Sequence, residues 1–139
     1  MKKLTVLLAA LFMLAACGAK DEIVKASAET AKNADGDYAS AEIEVQGDSV
    51  VSISLDETKG GKSKKELGAD YNMKGASPIK KEWNEQVKFL EDYIIKNGLE
   101  KVELDDKGYA ANDDVKAGCT INLTNLMKAA NDAKANASK

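Results

Sequence analysis

The chain reads as one α+β domain: a small antiparallel sheet of an N-terminal hairpin and short strands, packed by two helices. Three observations predict this. Residues 41–45 and 51–55 alternate apolar and polar, with Gly47-Asp48 between them. Residues 79–94 carry an apolar stripe at helical spacing, and residues 126–133 carry a second.

The hairpin comes first. Ala41, Ile43 and Val45 alternate with Glu42, Glu44 and Gln46, and Val51, Ile53 and Leu55 alternate with Ser52 and Ser54. Each strand therefore has one wet and one buried face. The segment Thr58–Lys65 follows, rich in Gly, Ser and Lys, and reads as a mobile loop. Ser77-Pro78 has the form of an N-cap with proline at the first helical position. The helix it predicts runs through Ile79, Trp83, Val87, Leu90 and Ile94 and closes at Gly98. Val102 with Leu104, then Tyr109–Ala111, read as short strands about a turn at residues 105–108. Leu126, Ala129, Ala130 and Ala133 give the last helix its apolar face, and residues 136–139 read as a fraying tail.

Composition removes several functions. The chain has no histidine, and all 20 of its cations are lysines. A Ser-His-Asp or Cys-His catalytic set, a histidine zinc site and a bidentate arginine clamp are all excluded within the chain. The net charge is −3 with the lysines spread among acids, so no basic stripe suits nucleic acid. A borrowed cofactor is the simplest route to chemistry for such a chain.

Residues 1–16 have the plan of a signal peptide, with Lys2-Lys3 ahead of an apolar run that is short for a membrane span. The run ends Leu14-Ala15-Ala16-Cys17, which resembles the lipobox of bacterial lipoproteins. That resemblance implies cleavage before Cys17, lipid on its sulfur, and a domain on the outer face of the cell membrane. Cleavage would remove Lys2 and Lys3 and lower the net charge from −3 to −5. Residues 17–35 then read as lipidated cysteine and flexible tether, and 36–135 as the domain. With Cys17 lipidated, Cys119 has no disulfide partner, since the chain has two cysteines. It can be a reactive thiol, a metal ligand or a small buried residue, and burial is the commonest state of a free cysteine.

The segment ahead of the last helix carries the functional signal. Asp113-Asp114-Val115-Lys116-Ala117-Gly118-Cys119-Thr120 presents one hydroxyl in an acidic, glycine-containing loop. A helix amino end nearby favours a phosphate. Asp114, Gly118 and Thr120 stand at the spacing of Asp-x-x-Ser/Thr-Gly-Ala-Thr/Ser, and here the chain resembles the FMN-binding domain family whose members carry covalent flavin. Ala117 stands where the family has a hydroxyl residue, and Cys119 where it has alanine. The run Trp83-Asn84-Glu85-Gln86 adds a likeness to flavinylated extracellular electron transfer lipoproteins of Gram-positive bacteria, in a single-domain form.

The resemblance implies FMN joined through its phosphate to Thr120, with Asp114, Ala117, Gly118 and Cys119 forming the attachment loop. Asp114 would orient the acceptor hydroxyl or a metal of the transferase, or stand as an ordinary acidic loop residue. Tyr71 and Met73, in a loop with Gly68 and Gly75, are suited to line a flat aromatic ring. Trp83 is placed to pack in the core or to touch that ring. The implied protein is an electron carrier rather than an enzyme. It would be loaded by a flavin transferase, reduced by a membrane flavoprotein or quinol-linked donor, and oxidised by an extracellular acceptor. A different expectation is a surface lipoprotein, a binding or antigen module, with the same fold and no flavin.

Overall fold

A computed structural model describes residues 21–139, so Cys17 and the signal segment lie outside the described residues. Four strands form an antiparallel sheet in chain order: β1 (Ile23–Glu29), β2 (Ala39–Gln46), β3 (Ser49–Lys59) and β4 (Lys62–Ser63). Two long helices, α2 (Trp83–Asn97) and α4 (Thr124–Ala137), cover one face, and two single helical turns, α1 (Lys64–Leu67) and α3 (Asp113–Lys116), join the parts. The α+β reading of the sequence holds.

The β2–β3 hairpin turns at Gly47-Asp48 as the alternation predicts, with one correction. Val45 pairs with Val50 while Glu44 pairs with Ser52, so Val51 is an extra residue in a β-bulge. The bulge turns Val50 inward and leaves Val51 exposed, reversing the expected phase at that point. Beyond it, Ile53 and Leu55 are buried as expected.

The tether reading fails for residues 23–29. They form β1, paired along its length with β2 from Ile23↔Gln46 to Glu29↔Ser40. Ala26 and Ala28 pack partly against the core, and the Asn136 side-chain amide donates to Ser27 O at 2.9 Å. Small alanines give a weak strand signal, and tertiary pairing supplies the rest.

Residues 58–63 are likewise a tight hairpin rather than a mobile loop, and residues 64–65 open α1. Gly60 and Gly61 both take positive φ, +60° and +80°, the geometry a two-residue hairpin turn requires. Asp37 secures it by accepting from Thr58 Oγ1 at 2.8 Å, Gly61 N at 3.0 Å and Gly60 N at 3.2 Å. These bonds hold its carboxyl below the usual carboxylate range, Gly61 contributing most.

Helix α2 starts later than Ser77-Pro78 predicts. Lys80 has φ +56°, which breaks any helix begun at Pro78. The start is instead a capping box, in which Glu82 and Glu85 satisfy each other's backbone N–H. Gly98 caps the other end, its N–H donating to Ile94 O at 2.8 Å. The two short strands expected after it reduce to one bridge, Leu104↔Ala110. Helix α4 buries Leu126, Met127, Ala129, Ala130 and Ala133, and it continues through Ala137, past the expected tail boundary.

The core lies between the sheet and these helices. α2 packs on β3, and α4 packs on β1 and β2. Glu91 of α2 reaches the free edge of β3, where its Oε2 accepts from Leu55 N at 2.7 Å and pairs with Lys65. Filling that edge guards it against pairing with other chains.

Candidate functional site

The attachment loop is built around two buried anchors. Val115 in α3 and Cys119, four residues on, are both fully buried, and Cys119 N donates to Val115 O at 2.9 Å. That turn of helix pins the segment so that Thr120 emerges half-buried beside α2.

There it meets Gln86, a fully buried amide on the inward face of α2. Thr120 N and Oγ1 both donate to Gln86 Oε1, at 2.8 and 3.2 Å. The other end of the same amide, Nε2, lies 3.1 Å from Lys81 O, 3.2 Å from Ser77 Oγ and 3.7 Å from Met73 Sδ. One side chain thus ties the loop of residues 73–81 to the loop that carries Thr120. Such a hub fixes geometry because every member is satisfied in a low-dielectric setting.

Thr120 lies on the rim of an open cleft of about 210 Å³, flanked by Met73, Pro78, Tyr109, Ile121 and Asn122. This is below the usual volume of small-molecule pockets, roughly 300–1,000 Å³. The cleft can take part of a planar ligand and leave the remainder in water. No lysine lines it. Helix α4 begins at Thr124, four residues past Thr120; its N-cap residue Leu123 offers no side-chain cap, and Asn122 Oδ1 accepts from Thr124 N at 3.0 Å.

The remaining predicted residues are divided between this cleft and other places. Met73 lines the cleft; Tyr71 does not. Tyr71 packs around Lys64, whose ammonium lies 5.0 Å from its ring and 5.3 Å from that of Trp83. Lys64 also pairs with Glu57 at 2.7 Å. Burial pulls the Lys64 pKa down, but Glu57 and Tyr71 outweigh it and the net shift is upward. Trp83 is a core residue, 1% exposed.

Asp114 is exposed and does not line the Thr120 cleft. Its Oδ2 accepts from Tyr93 OH at 3.0 Å on the outer side of α2. Burial first, and then this hydrogen bond to Asp114, push the Tyr93 phenol above its ordinary value. Ala117 is exposed at the end of α3 and fills no core space. Gly118 has a steric reason: a Cβ there would overlap the ring of Phe89. Cys119 is the small buried residue of the three readings, and burial pushes its thiol up to about 11. The lysines of residues 59–65 are partly committed, Lys64 to Glu57 and Lys65 to Glu91 and Ser54.

Sequence reasoning passed over Gln86, Ser77, Tyr109 and Phe89 as site residues. Gln86 had a signal. It falls three residues after Trp83 and four before Leu90, a polar residue on the apolar stripe, where only a satisfied hydrogen-bonding role is tolerated.

No family model matches the chain, and no curated protein does. Among solved structures it is similar to a Clostridium thermocellum protein determined by solution NMR as a structural genomics target. The two share 23% identity and a TM-score of 0.54, over 84% of this chain and 92% of that one. This likeness establishes a shared fold.

Proposed function

We propose that this chain is a membrane-anchored extracytoplasmic flavoprotein, lipidated at Cys17, that carries FMN covalently on Thr120 and relays electrons. The observation that carries the reading is the setting of Thr120: a half-exposed hydroxyl on a cleft rim, held by the buried amide of Gln86. The residues fit the group. Thr120 Oγ1 is the ester acceptor, Met73, Pro78 and Tyr109 offer apolar and aromatic surface to a ring, and the amino end of α4 favours the phosphate.

When bound, the flavin supplies the redox chemistry. The chain's own part is to hold and orient. Gln86 Oε1 accepts a hydrogen bond from the Thr120 hydroxyl and so holds it at the open cleft, where a flavin transferase could reach it. Covalent attachment keeps a small cofactor at high local concentration outside the cell. The partners are the transferase, a membrane flavoprotein or quinol-linked donor, and an extracellular acceptor.

One observation favours the second reading, a surface lipoprotein binding or antigen module without flavin. No cationic side chain lines the cleft to offset a phosphate charge. Intact mass after exported co-expression with a flavin transferase separates the two. The first reading expects an FMN-sized mass increase and yellow colour in the parent and neither in Thr120→Val. A folded parent of unchanged mass would sink it.

A further inference from the structure

Four of the large apolar residues that stand exposed gather at one end of the domain: Ile23 (48%), Val24 (41%), Val51 (37%) and Ile95 (43%). Ile23 and Val24 pair with Gln46 and Val45 beside the β2–β3 turn, and Val51 is the bulge residue of that hairpin. Ile95, near the carboxyl end of α2, lines one shallow depression with Asp48, Ser49 and Val50. Thr120 is at the other end, bonded to the first turn of α2 and just ahead of α4. Helix α4 runs from there toward the β2–β3 turn, since Lys134 lines the same depression as Asp48. With 15 and 14 residues, α2 and α4 each extend about 20 Å.

The start of β1 sits at the apolar end, and Gln46 Nε2 donates to Asp21 O at 2.9 Å there. Cys17 precedes Ile23 by six positions. Even fully extended, that stretch reaches only about 20 Å.

We propose that the end carrying Ile23, Val24, Val51 and Ile95 rests on the lipid surface, with the Thr120 cleft opening away from it into water. The proposal rests on lipidation of Cys17. An acyl anchor binds more firmly when the protein makes a second contact with the membrane, and exposed aliphatic side chains at the root of a short tether provide one. Charges near this end lean acidic: Lys134 faces Glu100 at 3.9 Å and Lys25 faces Glu44 at 3.3 Å, and Asp21, Glu22 and Asp48 stand exposed beside them. Apolar contact therefore drives the docking, and anionic lipid is not required. The consequence for electron transfer is specific. A donor must bring its redox group to the cleft on a water-exposed part, because a quinol dissolved in the bilayer would lie beneath the opposite end.

The test uses the full lipidated chain in vesicles of phosphatidylcholine with phosphatidylglycerol. A fluorophore is placed at Asp48→Cys, beside the apolar end, or at Lys80→Cys, beside the cleft. Cys17 is blocked by lipid and Cys119 is buried, so each variant labels at one position. Quenching by a headgroup nitroxide is expected to be several-fold stronger at position 48. Equal quenching, or stronger quenching at position 80, overturns the orientation. Combining Ile23→Ser, Val24→Ser and Ile95→Ser with the position 48 label should lower the quenching. Unchanged quenching would overturn the apolar contact. Intact mass distinguishes failure of the underlying reading: an unlipidated Cys17 overturns the anchor and the docking together.

Discussion

The two halves of α2 share one buried apolar stripe and differ in what its buried polar side chain holds: Glu91 the edge of β3, Gln86 the loop of Thr120. Toward its carboxyl end, Leu90 and Ile94 are fully buried apolar side chains and Gly98 closes the helix. At its amino end, Trp83 and Val87 are buried too, but among them lies the amide of Gln86, with two bonds to Thr120 and others to Ser77 and Lys81. Apolar packing is non-directional and scales with area, so it can stabilise the domain without fixing any one atom. A satisfied buried amide contributes less net stability, but it sets where its partners stand. Stability and the placement of Thr120 are therefore separable properties of one helix.

Leu90→Ala should have the largest effect on folding, a loss of about 2–5 kcal/mol from the lost transfer energy and the cavity. Chemical denaturation measures it directly. The fraction that remains folded should still present Thr120 for modification, because the Gln86 bonds are untouched. Loss of flavinylation in proportion to Gln86 variants would break the distinction between the two ends.

Gln86→Leu is the opposite case. The stability loss should be about 1–3 kcal/mol, from leaving Thr120 N–H and the Lys81 carbonyl without their partner. Modification at Thr120 by a flavin transferase, read by intact mass on protein shown to be folded by circular dichroism, should fall more steeply than in Leu90→Ala. Equal modification in the two variants would reduce Gln86 to a core residue.

The same division decides what was legible in the sequence. The hairpin could be read because Ile43, Val45, Ile53 and Leu55 announce a buried face by period alone, and the α2 stripe by spacing of three and four. Period could not reveal the bulge at Val51, since one extra residue is set by pairing across strands. Nor could it reveal β1, whose Ala26 and Ala28 carry little strand preference and depend on β2 and α4 for their place. Of the residues grouped by the motif resemblance and by residue type, the fold brings Thr120 and Met73 to one cleft, while Gly118 packs against Phe89. Asp114 was grouped with Thr120 by the same motif, and Tyr71 with Met73 as a neighbour in one loop. The fold sends Tyr71 to Lys64 and Asp114 to Tyr93, because a short loop exposes its residues to different sides.

Gly118 sharpens the comparison in a different way. Its φ is not positive, so backbone freedom is not the reason for glycine; the Phe89 ring fills the space of a side chain. Gly118→Ala should cost about 1–3 kcal/mol through overpacking. Adding Phe89→Ala should recover most of that loss, since residues in contact couple strongly. An additive double variant, measured by urea denaturation, would show that the strain lies in the backbone instead.

The smallest effect concerns a second polar hub, Asp37, which holds the Gly60-Gly61 turn. Its carboxyl is depressed in the folded protein by bonds from Gly61, Thr58 and Gly60. A depressed carboxylate contributes stability above the unfolded value, near 3.9, and that contribution is lost as pH falls through the folded value. Asp37→Asn lacks the charge at every pH. The parent should therefore be the more stable of the two at pH 7, and the gap should shrink as both are taken to acid below pH 4. Urea midpoints at the two pH values measure the gap. A gap of constant size would assign Asp37 a role in turn shape that is independent of its charge. Thr120 modification should be unaffected in either case, because the Gln86 bonds that place it do not pass through this turn.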